Sequence, residues 1–305
     1  MDYSIGEIVA LCSFNIILVL LLSPLLEGII RKLVALVHSR IGPPLYQPYI
    51  DILKLLGKEE IVSSDNFFFR YSGVLALAAI LSTAVIIPIG ARPPLGNAGE
   101  IIVFVYLITL SAIMVMMSGI TSESPFGIVG AAREMMMVLV VEPVIIIALI
   151  TAAVKARSMT FGDIMAYHLS HGTSISMVIV AIALFLAIVA QLARLPFDIV
   201  EADQEIMEGP FIEQSGAKLA LFKWSFYAKE LIFASIFVSI FVPWPYKGNF
   251  IVDFIITLVK IVILLLIVGV VHVVNPRLRI DQAIRYFGIL IFVSLIGLAF
   301  ALVGS

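Results

Sequence analysis

Apolar residues run along this chain in blocks of about 20 or more, separated by short charged stretches or Gly/Pro breaks. Blocks of that length can cross hydrocarbon as helices. They fall at 5–37, 71–90, 100–118, 135–154, 174–193, 220–243, 251–274 and 284–303. The pattern predicts an all-α, polytopic integral membrane protein with about eight transmembrane helices. At 1.5 Å per residue the first block exceeds the thickness of the hydrocarbon, so the first helix is expected to tilt. From Tyr46 to Lys58 the pattern changes: Tyr49, Ile52, Leu53 and Leu56 share one helical face, and Asp51, Lys54 and Lys58 lie opposite. This amphipathic segment is too short to span. It reads as an interfacial helix on the cytoplasmic membrane surface, as the cover of a partner's contact site, or as a packing helix with no further role. No internal repeat or linker divides the chain, and 1–305 reads as a single transmembrane domain.

Composition agrees with this architecture: 62% of the 305 residues are hydrophobic and 13% charged, with a mean hydropathy of +1.15, far from the range of soluble domains. A formal charge of −2, without a basic run interleaved with aromatics, excludes a nucleic-acid partner and leaves the lipid membrane as the chain's medium. Cys12 is the single cysteine and lies in the first block, so it reads as a buried structural thiol. Disulfides, Cys-rich iron–sulfur spacings and zinc motifs are excluded with it. Asp2 and Glu7 precede or open the first block with no basic region, which reads as a retained span and not a cleaved signal.

Cation placement orients the chain. Arg31, Lys32, Arg40, Lys54, Lys58, Arg70, Arg133, Arg194, Lys218, Lys223, Lys229, Arg277, Arg279 and Arg285 fall in or beside the loops after blocks one, three, five and seven. Arg92, Lys155, Arg157 and Lys247 fall on the other side. The excess predicts a multi-pass plasma-membrane protein with those odd-numbered loops in the cytoplasm and both termini outside.

The stretch 191–230, QLARLPFDIVEADQEIMEGPFIEQSGAKLALFKWSFYAKE, is a cytoplasmic loop and span entrance. It concentrates Asp198, Glu201, Asp203, Glu205, Glu208, Glu213 and Glu230 in a chain that has 21 acidic residues altogether. A helix over 198–208 would place Asp198, Glu201, Glu205 and Glu208 within about 80° of one another, with Gly209-Pro210 ending it. The stretch is either a solvated acidic loop or a protonatable cluster in which like charge and poor solvation raise carboxyl pKa values. Glu142, next to Pro143, lies about 12 Å along its helix from the Arg133-Glu134 pair at the span entrance, so it is expected to be protonated, paired or facing water. Lys260 falls near the middle of the seventh span, and a proton path and a static interhelical pair are both open for it. Lys229 and Glu230 sit at the interface or inside, depending on where the sixth span begins. Glu27 and Arg31 are one turn apart and can pair. His168, His171 and Asp163 read as a solvated outer loop, and His38 and His272 as interfacial residues. Nucleophile–base triads, phosphate-cradling glycine loops and haem ligand pairs are absent from the pattern. The implied chemistry is ion transfer through titratable side chains, with no redox centre in this chain.

These residues carry a resemblance. PFDIVEADQEI, followed by an acidic residue and SGAKLALF, resembles the cytoplasmic loop of the H-type membrane subunits of respiratory complex I. The likeness extends to Glu27, Arg31 and Lys32, the RIGP run from Arg40, the amphipathic segment ending at Lys58-Glu59, Arg133, Glu142 and the number of spans. MEGPFIEQSG departs from the quinone-enzyme pattern, and Val200 replaces the usual proline before the acidic run. The variant is similar to the branch of energy-converting membrane-bound [NiFe] hydrogenases, including the M-type subunits of archaeal complexes, and to their sulfur-reducing relatives.

The resemblance implies a membrane anchor and coupling subunit of a multisubunit oxidoreductase. Its partners would be soluble [NiFe] hydrogenase-like large and small iron–sulfur subunits, which hold the [NiFe] centre and the clusters, and antiporter-like membrane subunits. Glu27, Arg31, Arg40, Asp51, Lys54, Arg133 and Arg194 are then expected at the docking surface. Glu142, Asp198, Glu201, Asp203, Glu205, Glu208, Glu213, Glu230 and Lys260 are expected along a proton or sodium path. The rival readings are a quinone-chamber subunit and an autonomous ion transporter. The second would need two similar halves with broken helices, which the chain does not display.

Overall fold

A computed structural model describes residues 5–61, 63–89, 93–95 and 100–304, without the side chains of Ile5 and Asp203. Asp2 and Arg92 therefore lie outside the described residues. The described chain is helical: α1 (Ile5–Val37), α2 (Gln47–Leu56), α3 (Phe67–Ile86), α4 (Ile101–Thr121), α5 (Pro125–Ala156), α6 (Phe161–His171), α7 (Ile175–Gln191), α8 (Asp203–Ile206), α9 (Gly216–Phe241), α10 (Phe250–Val274) and α11 (Ile280–Val303). Seven of these, α1, α3, α4, α5, α9, α10 and α11, are long and apolar enough to cross a membrane. The eighth expected span is α7, whose 17 residues reach only about 26 Å.

The packing centres on α9. Its window is 83% buried, against 28% for those of α1, α10 and α11, so α9 is the axis and the other three form the periphery. Leu231, Ile232, Phe233 and Ala234 of α9 share one core with Val144, Ala148, Leu149 and Ala152 of α5 and with Val180, Ala183, Leu184 and Ala187 of α7. The small residues among them let backbones approach closely, as membrane helices require when no hydrophobic effect drives them together.

Three elements differ from the sequence-based expectation. The segment 198–208 is not one helix: only Asp203–Ile206 is helical, and Met207 and Glu208 take φ of 50° and 66°. Ile199, Val200 and Ala202 are buried, so the chain dips into the bundle there and cannot present a continuous acidic face. The fourth span begins at Pro125, ten residues before 135. Its glycines are contact positions and not loop residues, since a Cβ on Gly130 would stand 2.5 Å from Pro210 Cδ and 2.8 Å from Gly209 Cα. The stretch holding His168 and His171 forms α6, with His168 2% exposed, and is not a solvated loop. Burial pushes the His168 imidazole below its ordinary value.

The amphipathic helix α2 exists, and its apolar residues are divided. Ile52 packs with Ala220 and Tyr227 of α9, whereas Leu53 and Leu56 are exposed. The helix lies against α1 and α9.

Candidate functional site

α7 ends at Gln191, and a turn sets Arg194 beside α1 and α9. Arg194 Nη2 donates to Glu27 Oε2 and lies 3.4 Å from Glu230 Oε1. The other Glu27 oxygen accepts from Arg31 Nε at 2.8 Å. Arg31 also donates to Asp51 Oδ2 at 3.0 Å and to the Tyr227 hydroxyl at 2.7 Å. The result is a chain of alternating charge, Asp51–Arg31–Glu27–Arg194–Glu230, that ties α2, α1, the turn after α7 and α9 together. Glu27 is 4% exposed and Glu230 2%. Buried carboxylates need such partners, because an uncompensated one costs several kcal/mol.

This network forms one wall of a cavity of about 300 Å³. Asp198, Glu201, Glu208 and His272 line it together with Glu27, Arg31, Arg194 and Glu230, and Phe211, Phe222 and Phe226 supply an aromatic wall. His272 Nδ1 accepts from the Leu195 backbone N–H at 3.0 Å, which fixes its ring. Burial, followed by repulsion from Asp198, pushes the Glu201 carboxyl up to about 7 against the pull of Arg194.

Glu201 also borders a second chamber of about 20 Å³, with Glu134, Gln191 and Lys229 among its other walls. That volume has room for one water. Gln191 Nε2 is buried without a hydrogen-bond partner. Lys229 lies within electrostatic range of Glu134, Glu142 and Glu201. Beyond it in α5, Glu142 Oε2 accepts from Thr109 of α4 at 3.1 Å, and Glu142 Oε1 is buried and unbonded. The titratable groups thus run from the large cavity through Glu201 to Lys229, Glu134 and Glu142.

Of the expected path residues, Asp198, Glu201, Glu208 and Glu230 meet in the cavity, and Glu142 follows behind the second chamber. Glu205 turns away and pairs with Arg133 at 2.7 Å, a hydrogen bond that holds its carboxyl below the ordinary range. Glu213 is half-buried in the turn before α9, away from the cavity lining, and the Asp203 side chain lies outside the described residues. Lys260 does not reach the group. Its Nζ donates to the carbonyls of Val242 and Pro243 at 3.0 and 3.2 Å, where α9 has ended, about 18 Å along that helix from Glu230.

Of the expected docking residues, Arg40 and Lys54 are exposed. Glu27 and Arg194 belong to the internal network, and their partners Arg31 and Asp51, with 33% and 36% of their side chains exposed, carry that network to the surface.

Sequence reasoning leaves Glu134, Lys229 and Tyr227 without a role in the site. The spacing of Glu134 and Glu142, eight residues or about two turns apart on nearly one face, is the signal that finds the first. Lys229 and Glu230 are neighbours 100° apart on α9, and each faces a different chamber. Among the described residues no three His, Cys, Asp or Glu side chains are grouped to hold a metal ion.

A family model described as NADH dehydrogenase matches residues 9–302. The chain belongs to that family. Formate hydrogenlyase subunit 4 of Escherichia coli (strain K12) is 33% identical over 289 residues, covering 90% of this chain and 94% of the relative. Hydrogenase-4 component C of the same organism is 35% identical over 243 residues, 78% of this chain and 77% of its own. The H-type subunit of the NADH-quinone oxidoreductase of Anaplasma marginale (strain St. Maries) is 29% identical over 284 residues, 84% and 81% of the two chains. Among solved structures, a chain of the membrane-bound sulfane sulfur reductase, an archaeal respiratory membrane complex, superposes with a TM-score of 0.88 at 27% identity. The match covers 96% of this chain and 99% of that one. The kinship implied by the PFD loop, to the H-type subunits and to their hydrogenase-type branch, holds over nearly the whole length.

Proposed function

We propose that this chain is the membrane anchor and coupling subunit of a multisubunit energy-converting oxidoreductase, with a soluble [NiFe] hydrogenase-like module docked on its cytoplasmic loops. The observation that carries the reading is Glu201, which borders both the charged cavity and the one-water chamber leading to Lys229, Glu134 and Glu142. Three carboxylates, Asp51, Glu27 and Glu230, share two guanidiniums in the network, a deficit that a single proton cancels. Proton demand at a docked partner changes the charge in this cavity first. Glu201, poised near neutrality, passes the change to Lys229, and the Lys229–Glu142 interaction carries it into α5 toward antiporter-like neighbours. Arg40 and Lys54, exposed at the same end of the bundle, serve the docked partner, and the cation excess of those loops favours that end in the cytoplasm with both termini outside.

The test is ion translocation by the intact complex. Glu142→Gln and Glu201→Gln lower translocation about tenfold or more, while electron transfer to an artificial acceptor stays within about twofold. Undiminished translocation in both variants would sink the proposal. The aromatic wall of the cavity favours a second reading, a quinone chamber as in the NADH-quinone relatives. Quinone co-purifying with the complex, and lost in Phe222→Ala, would decide for it.

A further inference from the structure

A separate cavity of about 260 Å³ opens between α5, α8 and the turn joining α10 to α11. Arg133, Arg277 and Arg279 line it, with the carboxylates of Glu205 and Asp281 among them. The three guanidiniums are unequally satisfied. Arg133 is spent on Glu205 at 2.7 Å and on the Ile199 carbonyl at 3.2 Å. Arg277 Nη2, a buried atom without a hydrogen bond, is ion-paired with Asp198 Oδ2 at 3.8 Å, and the rest of its guanidinium is partly exposed. Arg279 is exposed, and among the described residues it has no ion pair. Guanidiniums that line an open space without a full set of acceptors are charge-assisted donors for an anion.

The backbone adds donors of the same sign. Gln282 and Ala283 N–H bond the Arg279 carbonyl, while the first-turn amides of Ile280 and Asp281 have no intrahelical acceptor. Both residues line the cavity, at the positive end of a 24-residue helix. Arg277, Arg279 and the α11 amides bring donors from several separate groups to one cavity, which suits the tetrahedrally arranged oxygens of a phosphate. The site also lies at the rim of the bundle, where α10 ends and α11 begins. Exposed Met136 lies one turn beyond Arg133, and exposed Ile289 and Phe292 lie further along α11. Basic pockets between helix ends at this level take lipid head groups.

We infer that the Arg133–Arg277–Arg279 cavity is a binding site for a phosphate group, that of an anionic phospholipid in the surrounding leaflet. The lipid bridges α5 to the α10–α11 turn and so clamps the acidic loop through Asp198 and Glu205.

The full chain in nanodiscs, analysed by native mass spectrometry against phosphatidylglycerol, phosphatidylcholine and inorganic phosphate, tests this. Phosphatidylglycerol is retained at one molecule per chain, about tenfold more strongly than phosphatidylcholine, and Arg279→Gln weakens retention by about tenfold. Arg277→Gln with Arg279→Gln abolishes it. The exposed single variant keeps the result readable if the double variant fails to fold. Displacement by millimolar inorganic phosphate would support the site and assign it to the free anion. Equal retention of both lipids, or an unchanged lipid complement in Arg279→Gln, overturns the proposal. So does loss of a soluble partner from the complex with lipid binding intact, which would give these arginines to a partner's carboxylates.

Discussion

Glu201 concentrates the consequences of burial in one carboxyl. Its ordinary value is 4.5 and its value in the fold about 7. Below pH 4.5 it is protonated folded or unfolded; between the two values only the folded chain holds the proton. Its contribution to stability is therefore complete below pH 4.5 and disappears as pH rises through 7. Glu201→Gln, which cannot ionise, is expected to melt at a higher temperature than the parent at about pH 8 and at nearly the same temperature at about pH 4.5. Thermal unfolding in detergent at the two pH values checks this. The same substitution is expected to flatten the pH dependence of translocation near neutrality. At this scale the sequence was partly legible. The acidic run announced titratable groups, but which of them meet depends on where the backbone turns. Asp198 and Glu201 enter the cavity and Glu205 leaves it because buried Ile199, Val200 and Ala202 pull the chain inward, and hydropathy at those positions fits a helix equally well.

At the level of elements, the apolar blocks placed seven of the eight long helices to within about four residues at each end, and the fourth block began ten residues late. They failed where small residues set the packing. PFGIVG over 125–130 reads as part of the connection before the span, yet it forms the first turns of α5, because Gly127 and Gly130 allow Gly119 and the Gly209–Phe211 turn to approach. That contact joins residues far apart in the chain, so no local window contains it. Gly130→Ala is expected to push Pro210 away, lower stability by about 1–3 kcal/mol and disturb the cavity wall at Phe211. A lowered melting temperature, with increased hydrogen exchange confined to 198–214, is the measurement. An unchanged melting temperature would mean that the turn moves aside freely.

For the whole molecule, cation placement predicts the orientation proposed above, and labelling can read it. In a Cys12→Ser background, Arg157→Cys is expected to react with a membrane-impermeant maleimide on intact cells, and Lys54→Cys only after the membrane is opened. Both positions are exposed on the chain itself, so in cells lacking the soluble partner access is decided by the membrane. The reverse pattern would invert the chain and move the acidic loop outside. The sulfane sulfur reductase chain shares this architecture over 99% of its length, and in this chain the network of linked buried charges lies around one half of α9. Around Glu230 α9 is flanked by charge, whereas from Leu231 to Phe241 it is surrounded by aliphatic and aromatic side chains, Ser235 and Ser239 being tied to the Pro88 carbonyl.

Lys229 and Glu230 are consecutive, yet one faces the small chamber and the other the large cavity. A peptide unit in the middle of a packed helix is as stiff as anything in the molecule. Twisting or sliding that helix to suit a new charge on one side therefore shifts a charged group on the other by a comparable amount. The two compartments can be kept in step by backbone rigidity even when no file of water joins them.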